Sequence, residues 1–428
     1  MSNGSSFKLT YSTMFNPPEE LHTRFAEAMK KVKASMGKEF PMFIDGKERF
    51  AVEKVKVHSP INTDWHLATF QKGTVQDAED AIAAAKKAFP AWSRMNWEER
   101  VYLLRKVADA IDARIFEISS VVTLEVGKNR MEALGDVAET ADLIRYACQQ
   151  MEDNKGYVKE MGKDPLVGFA SKNVSVLKPY GVWLVISPFN YPAALTGGPS
   201  GAALVAGNTL VIKPATDTSW TATLLVECMR EAGLPDGVFN LVTGPGSTVG
   251  KALIENPDLA GLTFTGSYDV GMGIYRTFAN GAYVRPAILE MGGKNPAIVS
   301  RNADIEDAAI GIVRSAFGLQ GQKCSACSRV FVEKPVYEAL VNRMVELTEK
   351  LSIGDPTERQ TYMGPVINKN SYSDFKKFSE ELHRAGKIVT GGEILEEGAL
   401  AKGYYCKPTI VTDVPLDHAL WKQEMFVP

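Results

Sequence analysis

Between residues 182 and 265, short apolar runs and helical stretches alternate with a regularity that few folds accommodate. Residues 182–187, 209–212, 238–242 and 262–265 are strand-sized and nearly continuous in apolar side chains. The segments between them, 193–206, 218–232 and 249–255, carry helical spacing. A strand buried on one face alternates polar with apolar, whereas one buried on both does not. This stretch therefore predicts a parallel sheet covered by helices on both sides. In such sheets ligands bind beyond the carboxyl ends of the strands, and the loops at those ends are rich in Pro, Gly, Asn and Thr.

The flanks extend the pattern. Residues 18–36 carry apolar groups at helical spacing among many charges. Met42-Phe43-Ile44-Asp45-Gly46-Lys47-Glu48 reads as two short strands around an Asp-Gly turn. Residues 75–128 are strongly helical in pattern, with Thr74 as N-cap and Asp77 on the first turn, and a further helix covers 131–151. Residues 156–178 are punctuated by Gly156, Gly162 and Gly168 and end in Asn173-Val174-Ser175-Val176-Leu177, which predicts an exposed β-ribbon. A second α/β segment has strands at 297–299 and 329–332 and helices at 305–317 and 336–352.

Composition removes several classes of function. A chain of 428 residues, 45% hydrophobic and 23% charged, buries a core large enough to need no disulfide or structural metal. A net charge of −3 lacks the basic footprint of a nucleic-acid binder. No apolar run approaches the roughly 18 residues of a spanning helix. Five cysteines, Cys148, Cys228, Cys324, Cys327 and Cys406, form an odd, sparse set that fits a reducing compartment. Residues 1–6 show neither a secretory leader nor an Arg-rich transit pattern, so the cytoplasm is the expected location.

Several residues stand where chemistry is done. Gly244-Pro245-Gly246-Ser247-Thr248-Val249-Gly250 follows a strand and opens a helix, where backbone N–H groups favour anions. Its spacing, G-x-G-x-x-x-G, is not the Rossmann fingerprint, and a plain tight turn is equally open. Phe264-Thr265-Gly266-Ser267 repeats the strand-to-helix arrangement. Lys213, at the end of a strand, suits a ribose or phosphate, the plainer reading being a solvated lysine. Cys324 sits in a Gly-containing loop beside Lys323, and a neighbouring cation favours the nucleophilic thiolate. The alternative is a buried, inert thiol. Cys324-Ser325-Ala326-Cys327 lacks the second ligand pair zinc would need. Glu290, set between apolar residues and the pair Gly292-Gly293, suits a general base if burial raises its pKa toward neutrality. Pairing with Lys294 is the structural alternative. Asn190, in Ser187-Pro188-Phe189-Asn190-Tyr191-Pro192, offers an amide to an oxyanion or merely forms a turn.

Taken together, these segments resemble the aldehyde dehydrogenase superfamily. Ser187-Pro188-Phe189-Asn190-Tyr191-Pro192, Lys213-Pro214, Phe264-Thr265-Gly266-Ser267, Glu290-Met291-Gly292-Gly293-Lys294, Gly321-Gln322-Lys323-Cys324 and Glu424-Met425-Phe426 all occur in the family's order. The likeness covers the chain from about Phe43. Gly321-Gln322-Lys323-Cys324-Ser325-Ala326-Cys327-Ser328-Arg329, the run Arg314-Ser315-Ala316-Phe317-Gly318 and the helical N-terminal extension resemble the members that act on 1-pyrroline-5-carboxylate, the cyclic form of glutamate semialdehyde.

The resemblance implies an α/β fold of the aldehyde dehydrogenase type. It implies a Rossmann-like parallel-sheet cofactor domain (residues 1–155 and 179–289), an oligomerisation β-ribbon (156–178) and an α/β catalytic domain (290–428). It implies Cys324 as nucleophile, Asn190 with the Cys324 N–H as oxyanion donors, and Glu290 as the base that activates water. NAD is the implied cofactor, held by Ser187, Lys213, Thr216, Gly246, Gly250, Gly266, Ser267, Met291, Glu424 and Phe426. Ser325, Tyr191 and Glu139 are the implied contacts for glutamate semialdehyde. The implied partners are a small aldehyde and other copies of the chain, in an oligomer built from dimers, with no nucleic acid and no membrane. Other readings are a dehydrogenase for another small aldehyde, such as succinate semialdehyde, and an inactive nucleotide-binding fragment. Thr216 stands where many NAD-selective members have Glu, which leaves NADP open, and Val427 replaces a family Gly. The family continues past Pro428. The resemblance thus implies that a C-terminal segment is missing, and with it the substrate-anchoring loop and the last strand of the oligomerisation ribbon.

Overall fold

The computed structural model describes residues 17–168 and 170–428, so the N-terminal stretch read as free of a leader lies outside the described residues. Helix α1 (Glu19–Ala34) is followed by β1 (Lys38–Phe40), β2 (Met42–Ile44), β3 (Lys47–Arg49), β4 (Lys54–His58) and β5 (His66–Gln71). The Asp-Gly turn forms between β2 and β3 as expected. The region read as continuously helical is three helices, α2 (Val75–Arg94), α3 (Trp97–Ala113) and α4 (Ile115–Val126), and α5 (Arg130–Asp153) follows. Thr74 and Asp77 form a reciprocal capping box on α2. Gly127 ends α4 in the left-handed conformation at φ 82°, where a Cβ would also lie 2.7 Å from the Pro365 carbonyl oxygen.

The ribbon is present as β6 (Val158–Glu160) paired antiparallel with β7 (Val174–Val176), every residue exposed. Beyond it come β8 (Val182–Ile186), α6 (Ala194–Val205), β9 (Thr209–Lys213), α7 (Ser219–Glu231), β10 (Phe239–Leu241), α8 (Lys251–Glu255), β11 (Leu259–Thr265), α9 (Tyr268–Ala279) and β12 (Ala287–Glu290). They build a seven-stranded sheet in the order β12-β11-β8-β9-β10-β2-β3. The first five strands are mutually parallel, and β2 joins antiparallel to β10. From β8 the chain runs outward through β9 and β10, then returns to lay β11 and β12 on the other side. The carboxyl ends of β8 and β11 therefore flank a topological switch point, where open α/β sheets leave a crevice.

Both sheet faces are buried, which is why β8 reads Val-Trp-Leu-Val-Ile without polar breaks. Trp183 and Val185 enter a core shared with α3 to α7, while Val182 and Leu184 enter one shared with α2, α8 and α9. Helix α6 meets α5 through a face of glycines. A Cβ on Gly197, Gly198 or Gly201 would fall 2.3, 2.7 and 2.7 Å from atoms of Thr140, Leu143 and Ile144. Only a bare Cα allows that approach, and it fixes where α6 begins.

The remaining chain supplies β13 (Asn295–Val299), α10 (Ile305–Phe317), β14 (Cys327–Val332), α11 (Tyr337–Glu349), α12 (Lys369–Ala385), β15 (Lys387–Thr390) and β16 (Ile410–Thr412). Strands β13 and β14 pair in parallel over a separate core that includes Val299, Ile312, Phe317 and Met344. An apolar groove of about 490 Å³ opens between β14, helices α10 to α12 and residues 424–428. The helix start read at Ser267 is that of α9, whereas sequence periodicity carried no sign of β4, β5, α12, β15 or β16. Strand β4 is largely exposed and lysine-rich, and only Phe375, Phe378 and Leu382 are buried in the polar α12. Among the described residues no helix is long and apolar enough to cross a membrane.

Candidate active site

Cys324 is presented by a turn whose geometry is costly. Immediately after α10, Leu319 and Gln320 adopt left-handed backbone at φ 50° and 55°, followed by Gly321 at 67°. A non-glycine residue there costs on the order of 1 kcal/mol, and such strain persists only where surroundings over-determine it. They do so here. The Leu319 N–H donates to Glu132 Oε1 at 2.8 Å, and the Gln320 side chain donates to the Gly127 carbonyl at 3.3 Å. Buried Gln322 accepts from the Ile367 N–H through Oε1 at 3.0 Å, and its carbonyl accepts from Asn190 Nδ2 at 2.9 Å. A Cβ on Gly321 would sit 2.7 Å from the Val427 carbonyl oxygen. Asn295 Nδ2 donates to the Cys324 carbonyl at 2.6 Å.

The thiol so presented is exposed, which removes the inert-core alternative for Cys324. Cys148, Cys228 and Cys406 are buried, and burial pushes their thiols up, to about 11 for Cys148 and about 12 for Cys228. Cys327 is partly buried, its thiol also raised by burial, and it lines the apolar groove. Among the described residues no group of three or more His, Cys, Asp or Glu is placed to hold a metal ion. Lys323 is not dedicated to the thiol, since its ammonium lies 3.6 Å from Glu132 Oε1.

The loop after β8 is drawn to the same place. Asn190 is buried and spends one amide hydrogen on the Gln322 carbonyl, leaving a second donor. Phe189 meets Phe426 edge-to-face, centroids 5.8 Å apart. Tyr191 is largely buried with its ring 3.7 Å from Lys128 Nζ. Burial raises its hydroxyl pKa, and Glu132, Asp136, Glu139 and Cys324 add to the shift, so ring and thiol share one neighbourhood. Glu139 is exposed at the rim of this cluster, and the surrounding protein, with Asp136, raises its carboxyl pKa. Ser325 is exposed beside Cys324.

Glu290 is not the buried carboxylate that its apolar neighbours suggest. It ends β12 with its side chain exposed, so the burial argued from its apolar neighbours is absent. It does not pair with Lys294 either. Lys294 Nζ is buried without a hydrogen-bond partner, and burial followed by the Arg329 charge lowers its pKa to about 8. The Glu290 carbonyl accepts from the Gly266 N–H at 3.0 Å, tying the turn after β11 to the end of β12. Met291 packs on Gly271, where a Cβ would fall 2.6 Å from its sulfur. Glu424 reaches back across the chain. Its Oε1 accepts from the Gly293 N–H at 3.0 Å, and burial raises its pKa.

At the carboxyl ends of β8 to β11 lies a second cluster. Lys213 is buried, which overturns the solvated-lysine alternative. Its Nζ donates to the Pro214 carbonyl at 3.0 Å, and burial lowers its pKa to about 8. An ammonium has three donors, so two remain. The stem runs past Gly250, where a Cβ would meet its Cε at 3.5 Å. Residues Gly246–Gly250 form a single π-helical turn opening α8, with Gly246 exposed and open space where a Cβ on it would stand. Ser267 starts α9 without capping it. The Ser187 N–H donates to the Lys213 carbonyl, and Thr216 sits in the turn after β9. A buried cation with spare donors beside helix starts that no side chain caps suits a diphosphate with sugar hydroxyls.

Asn295, Gln322, Glu132, Lys128 and Asp136 hold this arrangement and were not anticipated. The available signal was polarity in the wrong place. Lys128, between α4 and α5, and Asp136, on α5, are buried, as are Glu125 and Arg130 nearby in the chain.

The model of the aldehyde dehydrogenase family matches residues 47–428. The chain is 38% identical over 408 residues to 1-pyrroline-5-carboxylate dehydrogenase of Geobacillus sp. (strain WCH70), spanning 94% of this chain and 78% of that protein. It superposes on a crystal structure of 1-pyrroline-5-carboxylate dehydrogenase from Thermus with bound NAD, with a TM-score of 0.91 and 34% identity, over 96% of this chain and 79% of that one. Betaine aldehyde dehydrogenase from Staphylococcus aureus in complex with NAD⁺ gives a TM-score of 0.88 and 28% identity, over 94% of this chain and 79% of that one.

Proposed function

The chain belongs to the aldehyde dehydrogenase family, an oxidoreductase acting on aldehydes, and from that membership we propose that it oxidises L-glutamate 5-semialdehyde to glutamate with NAD. The observation that carries the chemistry is the bond from Asn190 Nδ2 to the Gln322 carbonyl, which ties a buried amide donor to the strained turn presenting the exposed Cys324. The substrate rests on the relatives named above and on the acidic and aromatic surroundings of Tyr191 and Glu139, which suit an aliphatic chain ending in an ammonium group.

Cys324 as thiolate attacks the aldehyde carbon, and the negative oxygen so formed is stabilised by the remaining Asn190 amide hydrogen and the Cys324 N–H. Bound NAD supplies the acceptor for the aldehyde hydrogen, which departs as hydride. A thioester is left on Cys324. Glu290, exposed to solvent, takes a proton from water; the hydroxide adds to the thioester carbon, and the C–S bond breaks to free the acid and the thiolate. Lys213 would hold a ribose or phosphate, the Gly246–Gly250 turn and Ser267 would cradle the diphosphate, and Glu424 would bind the nicotinamide ribose. We assign residues 1–155 and 179–289 to the cofactor, 156–178 to a dimer-forming ribbon and 290–428 to catalysis, in a cytoplasmic enzyme.

Lys213 gives this reading a pH signature. Its ammonium pKa is depressed by burial to about 8, so the charged form dominates below pH 8 and is lost above it. NADH affinity should therefore fall as pH rises through 8. Lys213→Met should bind about 10-fold or more weakly at neutral pH, as expected for one lost charge-assisted hydrogen bond, and its profile should be flat. Fluorescence titration of NADH between pH 6.5 and 9.5 checks both.

The test of substrate is NAD reduction, followed at the nicotinamide absorbance, with glutamate semialdehyde and with succinate semialdehyde. A kcat/KM that favours glutamate semialdehyde supports the proposal. One that favours succinate semialdehyde overturns the substrate and keeps the family chemistry.

A further inference from the structure

We infer that Lys128 is a positioning residue of this site: its buried ammonium, paired with Asp136, fixes the Tyr191 ring and the loop carrying Asn190, and so governs aldehyde capture without touching the aldehyde. The inference rests on the reading of Cys324, Asn190 and Tyr191 given above.

A lysine with no exposed surface is expensive, because its charge is costly to desolvate unless paired, and one apolar side chain of the same length would fill the space. What the charge does here is visible from its contacts. Nζ lies 3.0 Å from Asp136 Oδ2 and 3.7 Å from the centroid of the Tyr191 ring. A desolvated cation over an aromatic face is a directional contact and holds the ring in one orientation. The other Asp136 oxygen, Oδ1, accepts from the Ala194 N–H at 2.8 Å, at the first residue of α6. One buried carboxylate thus pins both ends of a four-residue segment, the ring of Tyr191 through Lys128 and the backbone at Ala194 directly. Asn190 is the residue immediately before that segment.

The segment cannot drift as a unit. The glycine face of α6 sets its distance from α5, which carries Asp136. On the other side, Asn190 is tied to the Gln322 carbonyl. The other charges facing this cluster are Glu132 and Lys323, themselves 3.6 Å apart, and Glu139 at the rim. Among the described residues the Lys128 ammonium is the one cation set against the Tyr191 ring.

The experiment is a double-mutant cycle on the whole chain, combining Lys128→Met with Tyr191→Ala. Three readouts are needed: kcat and KM for glutamate semialdehyde, NADH affinity, and the rate at which p-nitrophenyl acetate acylates Cys324, seen as released p-nitrophenolate. Lys128→Met is expected to lower aldehyde kcat/KM and the acylation rate at least about 10-fold, the scale of one lost buried contact. NADH affinity should stay within about twofold. In the Tyr191→Ala background the same change should cost little more. Equal losses in both backgrounds, or an equal loss of NADH affinity, would mean that Lys128 only supports the fold and would overturn the inference. Asp136→Asn keeps the acceptor for Ala194 and removes the charge, so it should reproduce the Lys128→Met signature if that variant fails to fold; wild-type acylation in folded Asp136→Asn also overturns the inference. Acylation by the ester needs neither NAD nor the semialdehyde. Absence of semialdehyde turnover in the unmodified chain therefore fails the functional reading alone, and the acylation cycle still decides the role of Lys128.

Discussion

Cys324→Ala is expected to cut aldehyde-dependent NADH formation by about 10⁴-fold or more, the scale on which loss of a covalent nucleophile is felt, while NADH still binds. No other thiol can take its place. Cys148, Cys228 and Cys406 are buried, and burial disfavours their thiolates. Cys327, three residues on, is partly buried and turned to the groove, its Sγ 3.6 Å from the Arg329 carbonyl. The absorbance assay, run beside a fluorescence titration of NADH, separates chemistry from cofactor binding. Turnover persisting near the unmodified rate would remove Cys324 from the nucleophile's role.

Glu290→Gln is expected to split the two halves of the reaction. On the proposed mechanism the first turnover needs no base for water to form the thioester and release its reducing equivalents, so a burst of NADH close to one per site should survive. The steady rate behind it should fall by about 10²–10⁴, as for other general bases. The substitution is mild structurally, because the Glu290 side chain is exposed and its tie to Gly266 is made by the main chain. Stopped-flow absorbance resolves the phases. A burst that shrinks in step with the steady rate would place Glu290 before the thioester and overturn its assignment to hydrolysis.

The central sheet was legible in the sequence because burial on both faces leaves a mark that local context cannot blur. Runs such as residues 182–187 and 209–212 have no polar break and are bounded by turn residues. The capping box of Thr74 and Asp77 was legible for a similar reason, being wholly local. Strand β4 and helix α12 were not, since their few buried residues sit among exposed lysines and serines, and β5 buries four of its six residues in an order that matches neither the strand nor the helix period. At the site, Cys324, Glu290 and Asn190 were readable as residue types in telling loops. Their alternatives were decided only by exposure: Cys324 is open, Lys213 is buried, and Glu290 is open where burial had been argued. Lys128, Asp136 and Gln322 were hidden because a polar residue in a helical pattern reads as surface until its neighbours are known.

The bonds that assemble the site span most of the chain. Asn190 and Gln322 are 132 residues apart, Gly293 and Glu424 are 131 apart, and Leu319 meets Glu132 across 187. Each closes a large loop, and loop closure costs entropy before the contact returns anything. Local helices and the adjacent parallel strands can form first, whereas the turn at Leu319 and Gln320 gains its compensating partners only when these distant segments have met. Refolding from denaturant should therefore restore helical signal well before it restores a reactive thiol on Cys324. During synthesis, a chain emerging from its amino end holds the sheet while the turn that presents Cys324 is still unclamped, and that late-closing loop is the stage at which the fold is most exposed to misassembly.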